Sequence, residues 1–167
     1  MFEEQRNGLG SPNGYTRRSF IKQAVATCFY SVVPFKNIIM TNPTGVTIRK
    51  SPYSVKETIN RLQAALEQHQ VTVYARIDQQ QELQKAGRVI PPLEFLLFGN
   101  PKAGGPVMIE NPLAALDLPL KIVTWQDEEQ TVHVAYNDAS YIKNRYALSA
   151  TVSAPLNLDP LIIKILS

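Results

Sequence analysis

The 167 residues contain a single cysteine, Cys28, and only two histidines, His69 and His133. One cysteine excludes an internal disulfide and a cysteine-based zinc cluster, both of which need at least two thiols. Two histidines leave few ways to build a nucleophile–base–carboxylate triad, and their spacing matches no metal-ligand motif, so no metal site is expected. No apolar run approaches the roughly 18 residues that a membrane-crossing helix needs. A surplus of positive charge is also missing from most of the chain. Residues 1–40 carry five basic and two acidic side chains, while residues 41–167 carry twelve of each. A neutral domain lacks the electrostatic footprint for gripping a phosphate backbone, which argues against nucleic acid as a partner. There is no internal repeat and no low-complexity tract.

What is present reads as one small domain with tails. With 44% apolar and 19% charged residues the chain can bury a core. Three segments are expected: an N-terminal segment over 1–40, a domain over 41–148 and a C-terminal tail over 149–167. In the first segment, Thr16-Arg17-Arg18-Ser19-Phe20-Ile21-Lys22 resembles a twin-arginine export signal. That resemblance implies a periplasmic or otherwise exported protein with no stable membrane span once the signal is removed. The alternative is an attached, basic, partly amphipathic helix on a cytoplasmic protein. Cys28 lies in this segment, so the domain itself has no thiol chemistry.

From residue 41 strands and helices alternate. Gly45–Ser51 has strand composition. Ser54 followed by Glu57 forms a capping-box pattern, and Val55, Ile59, Leu62, Leu66 and His69 then fall on one face of a helix over 54–70. Val71–Asp78 alternates apolar and polar residues as a half-buried strand does. A short helix closing at Gly87 follows, then an apolar strand at Leu93–Asn100 that is greasy on both faces and hence central. Pro112 starts a short helical stretch, Leu120–Asp127 and Gln130–Asp138 form a hairpin, and Ala139–Leu148 is a closing helix. The pattern predicts an α+β fold, a mixed sheet of about five strands with helices packed against it.

The break in this pattern is Gly99-Asn100-Pro101-Lys102-Ala103-Gly104-Gly105-Pro106. A nucleotide phosphate loop places its lysine after the last glycine and follows it with Ser or Thr. Here Lys102 precedes the glycine pair and Pro106 follows it, which excludes a nucleoside-triphosphate site. The expectation is a loop turned by Pro101, with Asn100 and Lys102 facing outward.

The segments YSVKETINRLQAALEQHQVTVYARID, LLFGNPKAGGPVM, ALDLPLKI and VAYNDASYIKNRYAL together resemble the bacterial domain of unknown function 302 family, over about Val46 to Leu148. The resemblance implies a small α+β domain that often self-associates, here as a homodimer, and it carries over no catalytic residue. Gly104-Gly105 stands where a Gly-Thr pair is expected, which removes a hydroxyl. The tail after Leu148 lies outside the resemblance, as an extra strand or a frayed end.

Three functional classes remain open. The leading one is a non-catalytic small-ligand-binding or sensing domain, with Asn100, Lys102, Tyr136, Asp138 and His133 as candidate contacts and the cofactor unknown. The second is a structural self-association domain without a ligand. The third is an enzyme acting on a small anionic substrate, with Asp138, Tyr74 or His133 as acid or base. Bland roles compete at every position: helix capping for Asp78, Asp117 and Asp138, a partly buried helix end for His69, and a solvated strand surface for His133.

Overall fold

A helix with one apolar stripe needs a sheet to cover, and α1 (Val55–Gln68) covers this one. Ser54 caps it by accepting from the Glu57 amide, while the Glu57 carboxylate pairs with Arg61 rather than closing the box. Val55, Ile59, Leu62 and Leu66 are buried as their spacing predicts. His69, the last member of the expected stripe, is exposed at the C-cap. The computed structural model describes residues 43–167. The export-signal reading at Arg17-Arg18 and the Cys28 thiol lie outside the described residues.

The α+β expectation holds, with five strands in one open sheet. They are β1 (Val46–Ser51), β2 (Thr72–Asp78), β3 (Leu93–Gly99), β4 (Leu120–Gln126) and β5 (Val132–Asn137), in the order β1-β5-β4-β3-β2. The expected mixed sheet is corrected: every neighbouring pair is antiparallel. The reason is connectivity. The single long crossover, α1, joins the two edge strands β1 and β2, while α2 (Gln79–Lys85) and α3 (Pro101–Glu110) each return the chain beside the strand it has just left. A short hairpin joins β4 to β5, with Gln130 in the left-handed region at φ 62°.

The expected loop at 99–106 is also corrected. It is the start of α3. Asn100 caps the helix by accepting from the Lys102 amide, and Pro101 occupies the first turn, where its missing N–H costs nothing. Neither Gly104 nor Gly105 has positive φ. Composition suggested a loop turned by Pro101, but the cap and the first-turn proline outweigh two helix-weakening glycines. Asn111 then caps a 3₁₀ turn at Pro112–Leu116.

The tail neither adds a strand nor frays. After α4 (Ala139–Arg145) come α5 (Ala150–Ser153), a 3₁₀ turn at Ala154–Leu156 and α6 (Asp159–Leu166). Ile162 is fully buried in the same core as Ile59, Leu62, Leu96, Ile122 and Val134. The domain is therefore completed by its last twenty residues, roughly one helical face of which belongs to the core.

Candidate ligand-binding site

β3 and β5 run in the same direction with β4 between them, so the ends of β3 and β5 and the start of β4 share one end of the sheet. Near β3 this end is hollow. A cavity of about 590 Å³ lies between the sheet end, the end of α1, the first turns of α3 and the tail. That volume is within the range of small-molecule sites, about 300–1,000 Å³. Its walls are mainly apolar, with Leu66, Phe98, Leu118, Leu120, Leu158 and Leu161 among them. Gly99 keeps it open: a Cβ there would lie 3.3 Å from the Tyr74 ring and 3.6 Å from Pro119.

Polar groups are few, and they are alike. Asn100 and Asn157 both line the cavity, and in both the side-chain oxygen is committed to a backbone amide, of Lys102 and Asp159 respectively. Each therefore offers its NH₂ group. His69 and Lys164 complete the polar lining together with Tyr74, which is 50% exposed. Among the described residues no carboxylate lines the cavity.

The wall formed by α6 is tied to the sheet from behind. Arg49 on β1 donates through Nε to the Tyr136 hydroxyl and through a terminal nitrogen to Asp159 Oδ1, each at 2.8 Å, and the Tyr136 hydroxyl also donates to Asp159. Burial, followed by the Asp159 carboxylate, pushes the Tyr136 phenol up to about 12. The Tyr136 and Arg49 bonds hold Asp159 below the usual carboxylate range. Asp159 sits between Leu158 and Pro160, both cavity residues, so this tether fixes the wall without its charges entering the hollow.

The five residues singled out in the sequence part company in three dimensions. Asn100 lines the cavity. Tyr136 lies behind the wall in the tether. Lys102 is exposed in the first turn of α3 and is not among the lining residues. Asp138 caps α4, accepting from the Ser140 and Tyr141 amides and the Ser140 hydroxyl, and the hydroxyl bond lowers its pKa. His133 lies on the other face of the sheet and is buried rather than solvated. It stacks on Trp125 at 5.1 Å, and its Nε2 is 2.6 Å from Asp127 Oδ2. The solvated-surface expectation failed because Trp125, its cross-strand partner, covers the ring. Asp78 caps α2 as expected, whereas Asp117 accepts from the Tyr146 hydroxyl and pairs with Arg145. Asp138 and His133 are thus on different structural duties, and among the described residues no three His, Cys, Asp or Glu side chains converge.

Sequence reasoning missed the contributions of Asn157, Leu158, Leu161 and Lys164. The signal was there in Leu161-Ile162-Ile163-Lys164-Ile165-Leu166, too apolar a run for a frayed end.

The family model for the domain of unknown function DUF302 matches residues 47–160. The fluoride-specific ion channel FluC 1 from Brucella suis is 32% identical to this chain over 105 residues, and the FluC 1 channel from Brucella abortus is equally similar. These matches take in 63% of this chain but only 41% and 39% of the two relatives, so the chain spans about two fifths of their length. No helix of the described residues is long and apolar enough to cross a membrane. Among solved structures, a DUF302 protein from Bacillus stearothermophilus superposes with a TM-score of 0.63 at 22% identity, covering 74% of this chain and 97% of that one. At that identity the likeness establishes the fold.

Proposed function

Because the chain belongs to the DUF302 family, whose match runs through the cavity-forming tail to residue 160, we propose that it is a non-catalytic domain that binds a small, largely apolar ligand. The observation that carries this is the cavity at the sheet end: about 590 Å³, apolar walls, and polar groups confined to a few positions. A domain stabilised only by its own packing fills such a space, since interiors are close-packed and voids cost stability. Two of the three acid–base candidates support the non-catalytic reading, because Asp138 is spent on a helix cap and His133 lies on the opposite face, while Tyr74 lines the cavity.

The likeness to part of two fluoride-specific channels supports an accessory role. An antiparallel sheet with no spanning helix among the described residues does not make a pore. A bare, strongly hydrated anion also suits an apolar hollow poorly. A domain that recurs within membrane proteins and in this chain fits a ligand-sensing part. Self-association is compatible with this reading and is not required by it.

The test is calorimetric titration of the protein with decan-1-ol, a neutral apolar probe, alongside Gly104→Leu. Gly104 lines the cavity with its nearest outside neighbour, Leu118, 3.9 Å from a built Cβ, so the leucine extends into free space. Leucine also favours the helix. Saturable binding by the wild type, weakened by about tenfold or more in a Gly104→Leu protein whose thermal midpoint is not lowered, is expected. A wild type that shows no saturable binding, or a variant that binds as well, overturns the reading.

A further inference from the structure

The polar groups of the cavity all face the same chemical requirement, and from this we infer that its ligand is an amphiphile with an anionic, carboxylate-like head. The inference rests on the apolar-ligand reading above and sharpens it.

The first observation is the inventory of hydrogen-bonding groups. The oxygens of Asn100 and Asn157 accept from the Lys102 and Asp159 amides, which leaves the two NH₂ groups as donors, and neither makes a hydrogen bond to another described residue. Capping geometry settles the amide orientation, because an NH₂ group cannot accept from a backbone N–H. The Lys164 ammonium supplies three more donors and no acceptor. It forms no ion pair and no side-chain hydrogen bond with the described residues, and the same holds for the His69 ring. Each asparagine oxygen accepts one bond and keeps one further lone pair, so among the lining side chains of the described residues donors outnumber acceptors, and a ligand head rich in acceptors matches them.

The second observation concerns charge. Among the described residues Lys164 is the one permanently charged side chain in the lining, and no Asp or Glu joins it. The nearest carboxylate along the tail, Asp159, is turned away and bound by Arg49 and Tyr136. A cationic ligand would meet Lys164 with nothing to offset the repulsion. An anionic head would find an ammonium and two amide donors, while its tail lay against Leu66, Phe98 and Leu120. Lys164 is exposed on the last turn of α6, so the head is expected at the mouth and the tail inside.

Three probes with one tail and different heads separate the alternatives: decanoate, decan-1-ol and decylammonium, each titrated at low ionic strength into the protein and into Lys164→Gln and Lys164→Arg. Decanoate is expected to bind about tenfold more tightly than decan-1-ol, and decylammonium more weakly than either. In Lys164→Gln the decanoate-to-decanol affinity ratio should fall toward one, in Lys164→Arg it should persist, and added salt should shrink it. Equal affinity for decanoate and decan-1-ol in the wild type, or a ratio untouched by Lys164→Gln, overturns the anionic-head inference and leaves the apolar-ligand reading standing. If none of the three probes binds, both fall together.

Discussion

Two polar clusters of this domain invite a functional reading, and they differ in one respect. On one face of the sheet, His133 stacks on Trp125 and its Nε2 meets Asp127, which also accepts from the Thr131 amide, so the imidazole and the carboxylate are paired within the domain. At the sheet end, the amide NH₂ groups of Asn100 and Asn157 and the Lys164 ammonium face a cavity without a hydrogen-bond partner among the described residues. A histidine beside an aspartate is the more conspicuous chemistry, yet its two members are paired with each other. The proposed ligand belongs at the second cluster, where the donors around the hollow are left for it to pair.

The contrast can be broken most forcefully through the tail. Ile162→Ala removes a fully buried side chain from beneath the cavity wall and should cost about 2–5 kcal/mol, read as a lower urea midpoint at constant slope. His133→Ala is the corresponding cut in the paired His133–Asp127 cluster. It strips Asp127 of its partner and uncovers Trp125, for an expected loss of about 1–3 kcal/mol, with decan-1-ol affinity unchanged in the titration. A variant that lost stability and binding together would join the two regions and spoil the distinction.

Acid should act on both regions in the same direction. Asp159 is held below the ordinary carboxylate range first by Tyr136 and then by Arg49, and Asp127 is held low chiefly by His133. A depressed carboxylate stabilises the fold at pH values above its unfolded pKa, near 4, and that contribution is lost as pH falls through the folded value. Stability should thus drop below about pH 4, and Asp159→Asn and Asp127→Asn should each flatten the drop in acid unfolding curves. Only the former should also loosen the cavity wall and weaken decan-1-ol binding. The smallest effect is expected at Gly105→Ala. Its Cβ would meet nothing within 4 Å and its φ is not positive, so the change should raise stability by about 0.5–1 kcal/mol in thermal unfolding and leave binding alone.

The same comparison explains how far the sequence could be read. Periodicity located α1 and all five strands, because Val55, Ile59, Leu62 and Leu66 repeat at helical spacing and the strands alternate or run apolar. It could not supply strand direction, which depends on where α1 crosses the sheet, and so a mixed sheet was expected where an antiparallel one stands. Gly104 and Gly105 suggested a loop, although Asn100-Pro101 already carried the signature of a helix start. His133 was placed on the correct face but not beneath Trp125, since a cross-strand partner is a matter of register. The cavity was the least legible feature. Asn100 and Lys164 are sixty-four positions apart, and only the packing of α6 brings both to one hollow.

The most direct measurement is a two-dimensional amide NMR titration of the protein with decanoate. The account predicts saturable shift changes concentrated at Leu66, Gly99, Asn100, Gly104, Asn157 and Leu161, with Trp125, Asp127 and His133 unmoved. Shifts centred on Trp125 and His133, or spread evenly over the surface without saturation, would contradict it.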